Sequence, residues 1–134
     1  MRSKARECAF KVIFASEFGG GESRRAVYRA EELDEEEKEY ADRLVGIVGE
    51  HRKEFSEILD KYSIGFSEKR MFPADRSVLL TALAEIYYVE DVPAVVSIDE
   101  AVGLAKKYST EKSAGFVNGI LASVISGDGN EHNH

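Results

Sequence analysis

Apolar side chains in this chain recur at three- and four-residue intervals and almost nowhere alternate, which is the spacing of helices and not of strands. Phe10, Ile13 and Phe14 keep that rhythm after Ala5 and Ala9. Tyr40, Leu44, Val45 and Val48 repeat it, followed by Phe55, Ile58, Leu59 and Tyr62. Further stripes run through Val78, Leu79, Ala82, Leu83, Ile86 and Tyr87, and through Ile98, Ala101, Val102 and Ala105. The last contains Phe116, Val117, Ile120, Leu121 and Val124. A weaker helix is expected over residues 23–32. Only residues 92–98 have any extended character, and that segment is short. The pattern predicts an all-α protein of six or seven helices.

Boundary chemistry supports several of these helices. Pro73 with Asp75 suits a helix opening, because proline is tolerated in the first turn and an acid favours the positive end. Pro93 closes the preceding helix and predicts an extended link. Ser97, Ile98, Asp99 and Glu100 have the spacing of a capping box. Seven acids and one lysine fill residues 31–39, and Asp34, Glu35, Glu36 and Glu37 read as the start of a helix whose dipole favours acids. At 134 residues the chain suits one domain, expected over 1–126, with a Gly/Asn-rich tail over 127–134 that reads as disordered.

Several function classes find no support. Hydrophobic residues make up 43% and charged residues 32%, the mix of a soluble globular chain, and no apolar run approaches a membrane span. The lone cysteine, Cys8, excludes an internal disulfide or a Cys-based zinc site, and no histidine lies near it to make a nucleophile. His51 sits in a charged stretch, and His132 and His134 lie in the tail, so no metal site is expected. Phosphate-loop, dinucleotide and nucleophile-elbow patterns are missing. The expectation is a cytoplasmic, non-enzymatic, cofactor-free protein.

The net charge of −7 counts against nucleic acid, yet residues 1–11 hold four basic side chains and one acid. Arg2, Lys4 and Arg6 crowd the start of the first helix, where cations oppose the macrodipole, and Lys11 stands on the flank opposite the apolar stripe. A phosphate clamp and an ordinary soluble start are equally open from the spacing alone.

Three ordered stretches narrow the choice. One is Val92 and Pro93 followed by Ile98, Asp99, Glu100 and Ala101, leading to Leu104, Ala105 and Lys106. Another is Phe116, Val117, Asn118, Gly119, Ile120 and Leu121, and the third is Arg6, Glu7, Cys8 and Ala9 after the basic start. Asp75 with Arg76, and Arg43, Leu44 and Val45, fit the same pattern. With these, residues 2–125 resemble the NusB family of bacterial transcription antitermination factors. The resemblance implies an all-helical fold of two small packed subdomains. It implies binding of the boxA element of ribosomal RNA leader transcripts together with NusE, a small-subunit ribosomal protein, in a complex that joins the elongating RNA polymerase.

Single-stranded RNA is held by cations and by aromatic faces that stack bases. The expected RNA contacts are Arg2, Lys4, Arg6, Lys11, Phe14, Lys69, Arg70, Tyr108, Lys112, Phe116 and Asn118. Phe14 also suits the core. Phe116 is the stronger exposed aromatic, because Val117, Ile120, Leu121 and Val124 complete a buried stripe without it. Asn118 either satisfies a buried backbone group or faces a ligand. Asp75 and Glu85 are expected on the NusE face. Two positions depart from the family: Lys112 replaces a frequent acid and Leu80 a frequent arginine. The competing reading is a helical protein–protein adaptor acting through homodimerisation or partner docking. A third, the RNA-recognition domain of a ribosomal RNA cytosine methyltransferase, lacks its cofactor-binding βαβ region.

Overall fold

A computed structural model describes residues 2–17, 24–65 and 67–129. Among them run six α-helices: α1 (Arg2–Glu17), α2 (Arg24–Ala30), α3 (Glu35–Tyr62), α4 (Pro73–Tyr88), α5 (Ala94–Tyr108) and α6 (Ser113–Val124). No strand occurs among the described residues. The first three helices and the last three make two small groups that share one continuous core. α3 is bent at His51, where φ −111° and ψ 21° leave the helical region, so it is one helix or two depending on how a kink is counted. The glycine run at 19–21 lies outside the described residues. So do residues 130–134, whereas 127–129 complete a π-helical turn, Ile125–Gly129.

The acid-rich segment opens α3 as its charge predicts. Asp34 is the N-cap: its Oδ1 accepts from the Glu37 amide at 2.8 Å, and the Glu37 side chain accepts from the Asp34 amide at 2.9 Å. That is the chain's capping box, and the expected one at Ser97 is corrected. Pro93, with φ −60°, is already set for a helix start, so α5 begins at Ala94 and Ser97 lies inside it. The expected extended link over 92–98 is likewise absent. At the other end of α3, Gly65 takes φ +72°, a left-handed turn that a side chain would disfavour, and leads into the 3-10 turn Glu68–Arg70.

α4 is the central element. Every residue from position 77 to 86 is buried, so the helix is wrapped on all sides by α1, α3, α5 and α6. Leu80 is fully enclosed, which makes that departure from the family a core residue. The cost of an all-round burial falls on Glu85, only 2% exposed, whose carboxylate needs partners from every neighbour. Arg6 Nε of α1 donates to both of its oxygens at 3.0 and 2.7 Å, Ser97 Oγ of α5 donates at 2.6 Å, and the Tyr40 hydroxyl of α3 donates as well. Arg6 Nη1 also reaches Glu100 at 2.8 Å. Arg6 is itself buried, at 7% exposure, and its pKa is raised: burial works against the charge, and Glu85 and Glu100 more than offset it.

A second cluster fixes the far end of α1. Glu17 accepts from Arg76 Nε at 2.6 Å and pairs with Arg52 at 3.1 Å, and Arg52 also holds buried Glu68 at 2.5 Å. Burial raises the Glu17 pKa, but the two guanidinium groups outweigh it and hold the carboxyl below its ordinary value of 4.5. Cys8 is wholly buried, and burial pushes its thiol up to about 11, far from a nucleophile at neutral pH.

Two outcomes follow for stability. Glu85→Ala strands a buried guanidinium and is expected to lower unfolding free energy by about 3–5 kcal/mol. In a double-mutant cycle with Arg6→Met, measured by urea unfolding, the paired loss is expected to be clearly less than the sum, whereas additive losses would disprove the coupling. Glu17, with its folded pKa depressed, contributes stability that is present above 4.5 and lost as pH falls from there to the lower folded value. Urea midpoints measured across that range are expected to fall less steeply in Glu17→Gln than in the parent.

Candidate nucleic-acid interface

The aromatic residues of α1 and α5 meet beside the start of α4. Phe10 and Phe14 lie one helical turn apart and stack at 5.8 Å between ring centroids, and Phe10 meets Tyr108 at 5.0 Å. Phe10 is buried and carries the packing, which leaves Phe14 and Tyr108 half-buried on the wall of a cleft of about 480 Å³. Lys11 lines the same cleft, with its Nζ 5.9 Å from the Tyr108 ring. The ammonium pairs with Glu31 at 3.3 Å, a half-exposed contact of modest worth that a phosphate can displace. Glu7 holds the other side of Tyr108, accepting from its hydroxyl and from Lys107 Nζ at 2.6 Å. Burial raises the Glu7 pKa, but the Lys107 and Tyr108 hydrogen bonds more than offset it, so the carboxylate stays charged at neutral pH.

A second cleft, of about 170 Å³, opens on the other side of the same helix start. Met71, Phe72, Asp75, Lys112 and Phe116 line it. Consecutive residues Ala74 and Asp75 serve one cleft each, so the two share a wall. Asp75 is buried and accepts from Ser109 Oγ at 2.5 Å, and Ser109 in turn accepts from Ser113 Oγ at 2.9 Å. Those bonds hold the α5–α6 turn, which carries Lys112 at the N-cap of α6 and Phe116 one turn further on the same side. Val117, Ile120, Leu121 and Val124 are buried and Phe116 is half-buried, as the stripe predicts.

The expected site residues divide into three sets. Lys11, Phe14, Tyr108, Lys112 and Phe116 come together along the paired clefts, and Lys69 and Arg70 are exposed on the 3-10 turn just before Met71 and Phe72. Arg2 and Lys4 lie elsewhere, since twelve residues of helix separate Arg2 from Phe14 by about 18 Å. Arg2 pairs with Asp91 at 3.2 Å, stacks over Tyr40 at 4.3 Å, and shares its cleft with Asp34, Glu36, Glu37 and Glu39, while Lys4 Nζ donates to the Glu31 carbonyl at 3.4 Å. Asn118 is exposed, which favours the outward reading, but it sits about 200° round α6 from Phe116 and does not share its face. Arg6, Asp75 and Glu85 are interior groups. Expected at contacts with RNA for Arg6 and with a partner for the two acids, all three are buried and hold partners within the chain.

Sequence reasoning passed over three further features. Lys107 is exposed beside Tyr108, and its position in the last turn of α5 is a readable sign of a cation at that end. Arg24, Arg25, Arg29 and Lys38 line an open cleft of about 800 Å³ between α2 and α3. Phe72 is the third, an aromatic left outside the core at the N-cap of α4.

No group of three or more potential metal ligands gathers among the described residues, and no described helix is long and apolar enough to cross a membrane. The NusB family model matches residues 3–126. Transcription antitermination protein NusB of Symbiobacterium thermophilum is 41% identical, over 94% of this chain and 90% of the relative. The protein of the same description from a Nocardioides species is 41% identical, over 92% and 93%. Among solved structures, T. maritima NusB matches with a TM-score of 0.86 at 32% identity, covering 98% of this chain and 97% of that one. A complex of the antitermination factors NusB and NusE with double-stranded RNA contains a chain matching at TM-score 0.83 and 28% identity, covering 93% and 96%. Family model, sequence identity and overall fold agree over nearly the whole chain, and the chain belongs to the NusB family.

Proposed function

We propose that this protein is a transcription antitermination factor that binds boxA single-stranded RNA together with NusE and joins the RNA polymerase elongation complex on ribosomal RNA operons in the cytoplasm. One observation carries the RNA half of that reading: the run of Phe14, Tyr108 and Phe116 along two adjoining clefts, with Lys11 and Lys112 beside the rings. Aromatic faces accept unpaired bases and the cations take the phosphates, which suits a single strand better than a duplex groove. Family membership and the NusB–NusE–RNA complex among the structural neighbours support the rest. The net charge of −7 is compatible, because seven acids cluster over 31–39, four of them lining a separate cleft with Arg2, while Lys11 and Lys112 line the aromatic clefts.

With Asp75 and Glu85 committed to the interior, the partner face is better sought at the start of α5. There Val95 and Val96 are 63% and 37% exposed, side by side at the surface. Exposed apolar neighbours of that kind suit a protein contact. They equally suit a second copy of this chain, and that is the observation behind the adaptor reading.

Fluorescence anisotropy of labelled boxA against a scrambled RNA, with and without NusE, tests the proposal. Preferential binding of boxA that tightens with NusE is expected; equal binding to both RNAs, or none, would leave the adaptor reading in its place. With three to five phosphate contacts the log–log salt slope is roughly −2 to −3.5. Phe116→Ala is expected to weaken boxA binding about tenfold while costing less stability than the roughly 3–5 kcal/mol of a fully buried phenylalanine. Lys112→Gln should flatten the salt slope by nearly one contact. Val95→Asp is expected to remove the tightening by NusE and to leave RNA binding in its absence unchanged, read in the same titration.

A further inference from the structure

Phe72 is badly placed for stability. It is the N-cap of α4, with φ −57° and ψ 137°, and makes no side-chain cap hydrogen bond. Serine, threonine, aspartate and asparagine are favoured there because their side chains satisfy an orphan amide of the first turn, which a phenyl ring cannot do. Nor does the ring serve the core. Met71, immediately before it, is buried and anchors the chain at that point, whereas Phe72 is 61% exposed. The ring therefore neither caps the helix nor fills the core.

Its surroundings supply another reason. The ring lines the smaller cleft together with Phe116, Asp75 and Lys112, and Lys69 and Arg70 are exposed on the turn that leads into it. None of these three cations has an ion pair among the described residues. Two aromatic side chains lining one small cleft, bordered by cations outside any ion pair among the described residues, match an unpaired nucleobase with its flanking phosphates. An acidic peptide would use the cations and leave the rings idle. We propose that Phe72 is a base-stacking residue, which takes the nucleotide adjoining the one at Phe116 and lengthens the RNA track past the start of α4. The inference rests on the reading of the protein as a single-stranded RNA binder and adds a contact that reading does not require.

The test uses the full chain and a boxA RNA set in which each nucleotide in turn is made abasic. Phe72→Ser removes the ring and restores a favoured cap, so its melting temperature is expected to equal or exceed that of the parent by a few degrees. Its affinity for intact boxA is expected to fall about tenfold, the scale of one lost stack. In the parent, one abasic position is expected to cost the same factor, and in Phe72→Ser that position is expected to cost nothing more. Phe72→Trp should retain parental affinity. Unchanged affinity in a stable Phe72→Ser overturns the proposal, as does a loss seen only when NusE is present, which would assign the ring to the protein partner. Phe116→Ala separates the two failures. If it weakens boxA binding while Phe72→Ser does not, only the stacking role of Phe72 falls. If the parent itself binds no RNA, the functional reading falls and this inference with it.

Discussion

One buried carboxylate decides how four helices meet. Glu85 lies in the last turn of the chain's central helix, and its two oxygens are met by groups from α1, α3 and α5. A buried pair of this kind adds little net stability over well-packed hydrophobic groups, because desolvation consumes most of the Coulombic gain. What it enforces is arrangement: a rotation or slide of α1 along α4 leaves Arg6 and Glu85 charged, dry and apart. Apolar contacts tolerate small shifts, but a buried ion pair with two added hydroxyl donors does not.

That constraint reaches the surface through α1. Arg6 faces inward at one end of the helix, and Glu17 is gripped by Arg52 and Arg76 at the other. Between these anchors the face bearing Lys11 and Phe14 is set against Tyr108, with Glu7 fixing the tyrosine from below. Asp75 plays the matching part for the second cleft by holding the Ser109 turn. The acids of the region are therefore positioning groups. They orient the aromatic and cationic side chains.

The helical class was legible in the sequence because its determinants are local. Pro73 marked the start of α4, and the buried stripe of α6 followed from spacing alone. The roles of Arg6 and Glu85 were not legible, since the partners stand 79 positions apart and nothing in either neighbourhood reports the pairing. A basic residue near a chain start reads as surface until its acid is found. Ser97 and Glu100 misled for a related reason: the spacing of a capping box means a cap only where a helix begins, and Pro93 moved that point a turn upstream. Their side chains serve Glu85 and Arg6 instead. Phe72 escaped notice because spacing cannot tell an exposed ring at a helix edge from one folded under it.

Cys8 gives the molecule one more property. It is the chain's single thiol, fully enclosed against the core on the same helix turn as Arg6 and Ala9. No second cysteine is available for an internal bridge, and the native state shields this one from oxidants and alkylating reagents. Chemical capture of Cys8 therefore waits on the opening of α1 from α3 and α4. The rate of that capture is a clock for the rarest excursions of the fold, running in unmodified protein at neutral pH and needing no introduced label.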